Sequence, residues 1–265
     1  MIKWANNIII YRTPNYIYHF GYWEDVLLYI PKEKIINDLA INLSGMDVRG
    51  YFLHQPHFFE DLDHLQIVID LHSSEVVGIF SSKWYKVWNK DILLLKNFWL
   101  SLKLNGGIVA SEMLGFHFIN LLKMDSKYPY IMFTKTYNPA AYKLFGSFKV
   151  NNQVDFYPII SANNGANKLS QLADQLAKIV TPQAKLIPEK GILKDGHASL
   201  GTSFFSEQPK SSTEIINKFF SENLTINDQV LCIVDFNNYN NMLECFMKFG
   251  KTYKTLLDNK VGIPE

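Results

Sequence analysis

The 265-residue sequence has few cysteines, almost no net charge and no long apolar run. Its two cysteines, Cys232 and Cys245, form neither a Cys-x-x-Cys pair nor a Cys/His metal spacing, which argues against a disulfide framework and a structural zinc site. No run of about 18 apolar residues occurs, so we expect no transmembrane helix. The first seven residues lack the basic-then-apolar pattern of a signal peptide, and a cytoplasmic location is the default expectation.

Positive and negative charges nearly cancel. The sequence has 26 Lys and Arg residues against 25 Asp and Glu residues, a formal net charge of +1. Because phosphate neutralisation requires clustered cations and no long basic run occurs, the charge argues against nucleic acid as a partner. Hydrophobic residues make up 48% and charged residues 19%, which is a globular composition. The aromatic content of 14% fits either an aromatic-rich core or a lined groove.

The central part of the sequence changes from strand-like to helix-like patterns. Three apolar runs separated by tight turns, at residues 65–71, 76–85 and 92–102, indicate an antiparallel meander. Residues 108–124 are apolar at almost every position, which is typical of a buried helix. A strand is predicted at residues 130–134, followed by a short helix that begins at Asn138-Pro139 and ends at Gly146.

Weaker signals flank this region. Before it, we predict a strand at 8–11, helical segments over 23–43 with a break at Pro31, and a strand at 48–53. After it, the predicted elements are a loop at 151–167, a helix at 168–180, an irregular stretch at 181–210, a helix at 215–223 opened by a capping box from Ser211 to Glu214, a strand at 230–236 and a helix at 242–257. The composition changes near Val150, so we predict a first domain over residues 1–150 and a C-terminal α/β extension, residues 151–265, packed on it.

A glycine turn connects the meander to the buried helix. Its sequence is Lys103-Leu104-Asn105-Gly106-Gly107-Ile108. Glycines let the backbone approach a pyrophosphate closely, and a helix N-terminus offers unpaired N–H groups and a positive dipole. Lys103 would add a point charge for phosphate.

A second motif lies further along the chain, at the start of the short helix. It reads Asn138-Pro139-Ala140-Ala141-Tyr142-Lys143-Leu144-Phe145-Gly146-Ser147-Phe148. In this order the two motifs resemble those of the Gcn5-related N-acetyltransferase superfamily. In the first motif Lys103 and Gly106 match the family pattern, whereas Ile108 stands where Gly or Ala is usual. In the second, Asn138, Ala141 and Leu144 are in register, and Phe145 replaces a tyrosine that often protonates the leaving thiolate.

The resemblance implies an α/β fold with a mixed, mainly antiparallel sheet flanked by helices. It also implies an acyltransferase that moves an acyl group from acyl-CoA or acetyl-CoA, or from an acyl carrier protein, to an amine of a small molecule or amino acid. The donor would enter an opening between the strands at 93–102 and 130–134, where main-chain N–H groups polarise the thioester carbonyl. The implied cofactor-binding residues are Leu100, Leu102, Lys103, Asn105, Gly106, Gly107, Ile108, Val109 and Asn138.

Two side chains are predicted to be catalytic. Tyr142 precedes Phe145 by three residues, near the same helix face, and could replace the missing tyrosine. His72 shares a sheet face with Asp70 at a strand end and is the predicted base. Further candidate bases flank the meander: His64, Asp70, Glu75 and Asp91.

Other polar and aromatic residues have plainer interpretations. His117 is predicted to be a core histidine of the buried helix. The His and acidic residues between positions 54 and 64 lack a recognised ligand spacing, so no metal site is predicted. Aromatic residues near the first helix either bind the acceptor or belong to the core; they are Tyr11, Tyr16, Tyr18, Tyr22 and Trp23.

The alternative to an enzyme is a non-catalytic protein with the same scaffold. Such a protein would use the scaffold to bind a partner or ligand. The departures at Ile108 and Phe145 favour this alternative. The sequence leaves open the acceptor, the acyl length and the oligomeric state.

Overall fold

The structure of the chain is a computed structural model that describes residues 2–5, 7–104, 108–160, 168–196 and 204–249. Its strands are β1 Ile2–Ala5, β2 Ile8–Arg12, β3 Tyr16–Tyr22, β4 His64–Asp70, β5 Val76–Val87, β6 Lys90–Leu100, β7 Ile131–Thr136, β8 Asp155–Tyr157, β9 Lys185–Ile187, β10 Ile192–Lys194 and β11 Gln229–Asp235. Its α-helices are α1 Trp23–Tyr29, α2 Lys32–Asn42, α3 Val48–His54, α4 Ile108–Met124, α5 Pro139–Gly146, α6 Ser170–Val180, α7 Glu214–Asn223 and α8 Tyr239–Phe249. A short 3₁₀ turn spans Leu102–Leu104.

All strands of the described ranges belong to one sheet. Its order is β1-β2-β3-β4-β5-β6-β7-β11-β10-β9, and β8 also pairs with β11. Only the β6–β7 pair among them is parallel, because the buried helix α4 crosses over between these two strands. The chain therefore has the expected fold class, a mixed and mainly antiparallel sheet flanked by helices.

Helices cover both faces of the sheet. Successive side chains of a strand point to opposite faces, and on β4 Leu65 and Ile67 pack in the cluster with α1, α2 and α3. Val68, with the opposite orientation, packs in the cluster that includes α4, α5 and α8. The cleft described below passes between these two layers.

The strongest sequence patterns gave the right elements. The meander appears as β4, β5 and β6, and the buried helix α4 has the predicted bounds of 108–124. The break at Pro31 is also present, since α1 ends at Tyr29 and α2 begins at Lys32. The short helix after Asn138 is α5, where the Asn138 Oδ1 accepts a hydrogen bond from the Ala140 N–H at 2.8 Å.

Several weaker predictions were wrong. Residues 48–53 form helix α3 instead of a strand, because Asp47 caps it by accepting from the Gly50 N–H at 2.9 Å, and Val48 and Phe52 lie one turn apart on its buried face. The capping box at Ser211 is absent. The Ser211 hydroxyl instead accepts from the Thr213 N–H at 3.1 Å, and α7 begins at Glu214.

Short strands were missed at several places. The pattern did not predict β1, β3 or β8, and it treated as irregular the stretch that contains β9 and β10. The predicted last helix begins earlier, at Tyr239, and its residues 250–257 lie outside the described part of the chain. The aromatic residues assigned to the first helix region lie largely in β3, where Tyr18 and Phe20 are fully buried.

The sheet runs across the boundary that the composition suggested at residue 150. Strand β11 pairs with β7 over six residue pairs, from Val230–Thr136 to Asp235–Ile131. Helix α8 packs on α4, where the Phe246 ring stacks on Phe118 with centroids 4.3 Å apart. The division into two domains stays a prediction.

Burial keeps two histidines neutral, which predicts acid sensitivity. Loss of hydration, and secondarily the nearby His64, holds the pKa of the fully buried His117 well below its usual value. Burial lowers the pKa of His19 to about 4. Both side chains titrate near 6.5 in an unfolded chain, so below that pH the unfolded chain takes up protons that the folded chain does not.

We therefore expect the free energy of unfolding to fall as the pH decreases from about 6.5 towards 4. For His117 alone the loss at pH 5 is about 2 kcal/mol, since pH 5 lies about 1.5 units below the unfolded pKa. Urea unfolding at the two pH extremes measures it. His117→Gln should flatten the dependence, and His72→Gln, in an exposed turn, is the matched control. An equally steep dependence in His117→Gln and wild type would contradict the assignment.

Candidate active site

The sheet opens between its two central strands. Strands β6 and β7 pair only from Ile92–Ile131 to Leu94–Phe133, and both strands continue beyond the last pair. The Thr134 hydroxyl donates to the Leu95 carbonyl at 2.8 Å, just where the ladder ends. The opening expected from the family resemblance is therefore present.

A β-bulge lies at the same place on the other edge of β6. The register with β5 shifts between Ser81 and Ser82, so that Ser82 faces Leu95 and Ser81 faces Asn97. Lys96 is the extra residue between them. A bulge re-aims the side chains around it, and here it turns polar residues towards the opening in an otherwise apolar strand.

The larger of two cavities at this opening has a volume of about 480 Å³. Its walls come from β6 and β7 beyond the last pair, from α5, and from two loop segments. On the α4 side it is lined by Leu114, Leu144, Phe145 and Phe148. We call it the large cavity.

A smaller cavity of about 170 Å³ adjoins the opening. Its walls include Tyr51 on α3, Trp99 on β6 and Phe204. The two cavities share lining residues, which are Lys96, Asn97, Trp99, Lys135, Thr136 and Phe205. We call it the small cavity. The remaining walls differ: Phe145, in the α4-side cluster, lines the large cavity and not the small one, and Phe204, in the α3-side cluster, lines the small cavity and not the large one.

Aromatic rings form the walls of the small cavity. The Tyr51 ring lies 4.9 Å from Trp99 and 5.1 Å from Phe204, measured between centroids. Trp99 and Phe204 are 5.1 Å apart. Such mutual contacts fix ring positions without flexible side chains, so the aromatic part of the cavity wall is rigid and apolar.

A segment from the C-terminal part of the chain crosses the opening. Phe205 forms a bridge with Met46, the Asp47 N–H donates to the Phe204 carbonyl at 2.9 Å, and the Ser206 N–H donates to the Gly45 carbonyl at 3.0 Å. Residues 205–210 then line the large cavity. The C-terminal part therefore contributes directly to the site.

Lys96 and Lys135 are the charged residues that line both cavities in the described part of the chain. The Lys96 side chain is only 16% exposed, and its Nζ lies 2.7 Å from Asp61 Oδ2. Burial lowers its pKa, although Asp61 acts in the opposite direction. Burial, together with the charge of Lys96, lowers the pKa of Lys135 to about 8. The Lys135 Nζ donates to Thr181 Oγ1 at 3.0 Å.

The structure brings only some of the predicted binding residues to the cleft. Leu100 and Asn138 line the large cavity. Lys103 is exposed on the 3₁₀ turn, and Ile108 and Val109 begin α4, with Ile108 exposed and Val109 buried. Asn105, Gly106 and Gly107 lie outside the described residues, and so does the side chain of Leu102.

The two predicted catalytic side chains are elsewhere. The buried Tyr142 hydroxyl donates to the Pro158 carbonyl at 2.7 Å and accepts from the Ile160 N–H at 3.3 Å, so it lies in the core behind α5 and not in the cleft. His72 is exposed in the turn after β4, which Asp70 closes by accepting from the His72 N–H at 2.7 Å. Phe145, at the family's tyrosine position, does line the large cavity.

The other histidine candidates belong to the interior. His64 is fully buried, with Nε2 3.2 Å from Asp125 Oδ2. His117 is a core histidine as predicted, 2.9 Å from the Ser82 hydroxyl. Within the described ranges, no three His, Cys, Asp or Glu side chains are grouped as metal ligands, and no helix is both long and apolar enough to cross a membrane.

Sequence reasoning missed the polar and aromatic residues at the centre of the cleft. These are Tyr51, Lys96, Asn97, Lys135 and Phe204. A signal existed for Lys96 and Asn97, because this polar pair interrupts the apolar run Ile92-Leu93-Leu94-Leu95 and Phe98-Trp99-Leu100. Tyr51 and Phe204 reach the site only through tertiary packing, and no spacing in the sequence indicates this.

Comparison with known proteins gives structural similarities only. No protein-family model and no curated protein sequence matches the chain. A crystal structure of AtaTR bound with acetyl-CoA is 14% identical, with a TM-score of 0.38, over 57% of this chain and 90% of that one. A GCN5-related glucosamine N-acetyltransferase region of a fungal multi-domain β-N-acetylglucosaminidase has 14% identity and a TM-score of 0.34, over 63% of this chain and 21% of that one.

A third similar structure comes from Corynebacterium glutamicum and is described as histone acetyltransferase HPA2 and related acetyltransferase. It has 12% identity and a TM-score of 0.31, over 51% of this chain and 86% of that one. The second and third structures are described as acetyltransferases, the class that the two sequence motifs resemble. Because every TM-score here is below 0.5, we base the function on the geometry of the cleft and on the two sequence motifs.

Proposed function

We propose that the chain transfers an acyl group from a CoA thioester to the amine of a small molecule. The observation that carries this proposal is the meeting of two cavities at the opening between β6 and β7, where they share lining residues. Acyl transfer requires two substrates to meet end to end, and holding them so removes much of the entropic barrier. A site for a single ligand would not need the second cavity.

The large cavity suits the donor. Beyond Leu94 the ladder between β6 and β7 is absent in the described residues, so the edge of β6 offers main-chain N–H groups to an extended acyl-pantetheine arm. Fixed N–H groups aimed at a thioester oxygen stabilise the negative charge that develops on it during attack. Asn138, Ala141 and Leu144 would contact the same arm from the other side.

The pyrophosphate of CoA would lie at the start of α4. A helix N-terminus favours an anion by about 0.3–1 kcal/mol at exposed sites, and Lys103 is exposed next to it. This placement follows the family resemblance of the sequence 103–108. An acyl carrier protein is the other possible thioester donor, since it presents the same pantetheine arm.

The reaction transfers one proton overall, from the amine nitrogen to the thiolate sulfur. Phe145 has no proton to give, and the Tyr142 hydroxyl is occupied by main-chain groups. We therefore assign the acceleration to positioning and to main-chain stabilisation of the oxyanion. The small cavity would bring the amine to the thioester carbonyl.

A direct assay tests the proposal. The protein is incubated with acetyl-CoA or a long-chain acyl-CoA and a panel of amines, and free thiol is measured. We expect amine-dependent thiol release. We also expect the preferred acyl-CoA, at about a hundredfold excess over Kd, to raise Tm by about 5–10 °C.

Two results would count against the proposal. Binding without thiol release, for any amine, would favour the non-catalytic scaffold. Neither binding nor release with any acyl-CoA would remove CoA as the donor altogether. Repeating the assay with an acyl carrier protein then separates a different donor from a lack of activity.

A further inference from the structure

The small cavity has positive charge that its own walls do not neutralise. Lys96 and Lys135 line it, and none of the described lining residues is Asp or Glu. Lys96 shares its carboxylate partner, because Asp61 also pairs with Lys83. The Asp61 carboxylate is therefore shared by the ammonium groups of Lys83 and Lys96, and Lys135 adds a third cation.

Lys135 has only neutral oxygens as partners in the described part of the chain. Its Nζ donates to the Thr181 hydroxyl at 3.0 Å and lies 3.5 Å from the Val180 carbonyl. No carboxylate oxygen in the described residues lies within ion-pair distance of it. A buried or half-buried lysine normally has an anionic partner. The Lys135 ammonium group has only these neutral oxygens at the C-terminal end of α6, so an anion bound in the small cavity would supply the missing countercharge.

Asn97 adds a second recognition group on the same cavity. Its side chain is buried, its Nδ2 donates to the Tyr51 hydroxyl at 3.4 Å, and its Oδ1 has no hydrogen-bond partner. An unpaired buried carbonyl oxygen costs about 1–3 kcal/mol, and a ligand N–H would satisfy it. Because Asn97 lines both cavities, an N–H bound there would face the thioester.

We propose that the acceptor is a small amine that also has an anionic group, a carboxylate or a phosphate. Lys135 binds the anion, Asn97 Oδ1 accepts a hydrogen bond from the amine nitrogen, and the rings of Tyr51, Trp99 and Phe204 contact the carbon skeleton. This inference rests on the proposed function and names its substrate class.

The chemistry then balances without a further reactant. The amine nitrogen attacks the thioester carbonyl, a C–N bond forms, and the C–S bond breaks with its electron pair left on sulfur. The sulfur ends with the proton that the nitrogen loses. The products are an amide, which keeps the anionic group of the acceptor, and the free thiol of CoA. The anionic group itself takes no part in bond making.

The lowered pKa of Lys135 agrees with this role. Burial and the repulsion from Lys96 bring it to about 8, and a bound anion would reverse part of that repulsion.

The test compares matched amines. Tyrosine is paired with tyramine, and O-phosphoethanolamine with ethanolamine, so that each pair differs by one anionic group. We expect kcat/KM to favour at least one anionic member by about 10–100-fold, because a hydrogen bond to a charged group contributes about 1.5–3 kcal/mol. The pair that shows the preference distinguishes carboxylate from phosphate.

Variants connect the preference to Lys135. Lys135→Met should reduce the preference at least about tenfold, mainly through KM of the anionic amine, whereas Lys135→Arg should keep it. Lys178→Met is the control, because Lys178 is exposed on α6 and pairs with Asp174. If Lys135→Met does not fold, the inference is tested by the preference of the wild type for the anionic amines and by its retention in Lys135→Arg.

The outcomes separate this inference from the proposed function. Two results would overturn the inference and leave the proposed function standing. One is turnover without preference for either anionic amine; the other is an equal loss of kcat/KM for both members of a pair in Lys135→Met. If no amine is acylated, calorimetric binding of tyrosine against tyramine and of O-phosphoethanolamine against ethanolamine replaces kinetics. Selective binding of the anionic amines would then support the anion-binding site and contradict the acyltransferase function. Absence of selective binding would overturn both the inference and the proposed function.

Discussion

A chain truncated after Val150 should not fold cooperatively. Truncation removes β11 from β7 over six residue pairs and leaves the edge of β7 open at the centre of the sheet. It also removes buried residues that complete the main core, among them Val230, Cys232, Val234 and Phe246. Each large side chain contributes about 1.5–3 kcal/mol when buried. Their sum approaches the whole stability of a typical domain, about 5–15 kcal/mol.

Thermal unfolding followed by near-UV circular dichroism measures this. The graded control is Phe246→Ala, which removes the stack on Phe118 and should cost about 3–5 kcal/mol while the transition stays cooperative. A soluble fragment of residues 1–150 with a sharp transition would show instead that the first part is an independent domain.

Replacement of Ala141 by tryptophan should abolish binding of the acyl donor. Ala141 is a small residue of α5 on the wall of the large cavity. An indole added there would fill space that the pantetheine arm needs, and overlap of this kind cannot be relieved without moving α5. We expect no detectable calorimetric heat with acetyl-CoA or long-chain acyl-CoA, and no amine-dependent thiol release.

Lys143→Trp is the matched control for this change. Lys143 is on the same helix, is exposed, and bonds only the Ser212 hydroxyl in the described structure, at 2.6 Å. It should leave both binding and turnover near wild type. Normal turnover in a folded Ala141→Trp protein would mean that the donor lies elsewhere.

Local sequence patterns were sufficient where one interaction dominates. The almost wholly apolar run of 108–124 can be satisfied only by a buried helix, and Asn138-Pro139 specifies a helix start by its own hydrogen bond and fixed backbone angle. These two elements carry the family resemblance. They also position the opening, because α4 crosses over from β6 to β7.

Sequence patterns predicted the wrong element where tertiary contacts determine the secondary structure. Residues 48–53 have strand-like composition, yet the Asp47 cap and the burial of Val48 and Phe52 make them helical. This error hid the site, because helix α3 brings Tyr51 to Asn97. In a strand, successive side chains would have pointed to opposite faces, and Tyr51 would not have the orientation that the helix gives it.

The structure places the predicted catalytic residues away from the cleft for a related reason. Spacing along α5 placed Tyr142 near the face of Phe145. Three residues advance a helix by about 300°, which leaves the two side chains about 60° apart, and this difference is enough to turn Tyr142 towards Pro158 while Phe145 lines the cleft. Spacing alone could not show which of the two faces meets the cleft. Lys135 was equally hidden, since a lysine near a strand end is usually solvated.

Backbone amide NMR during titration with acetyl-CoA tests the central claim most directly. If the donor occupies the opening, the largest chemical-shift changes should occur at residues 95–99 of β6 and at Thr134 and Lys135 of β7. The amides of β2 and β3, which lie four or more strands away from β7 in the sheet order, should hardly move. Saturable binding that shifts β2 and β3 but not these residues would contradict the account, and so would the absence of any binding by folded protein.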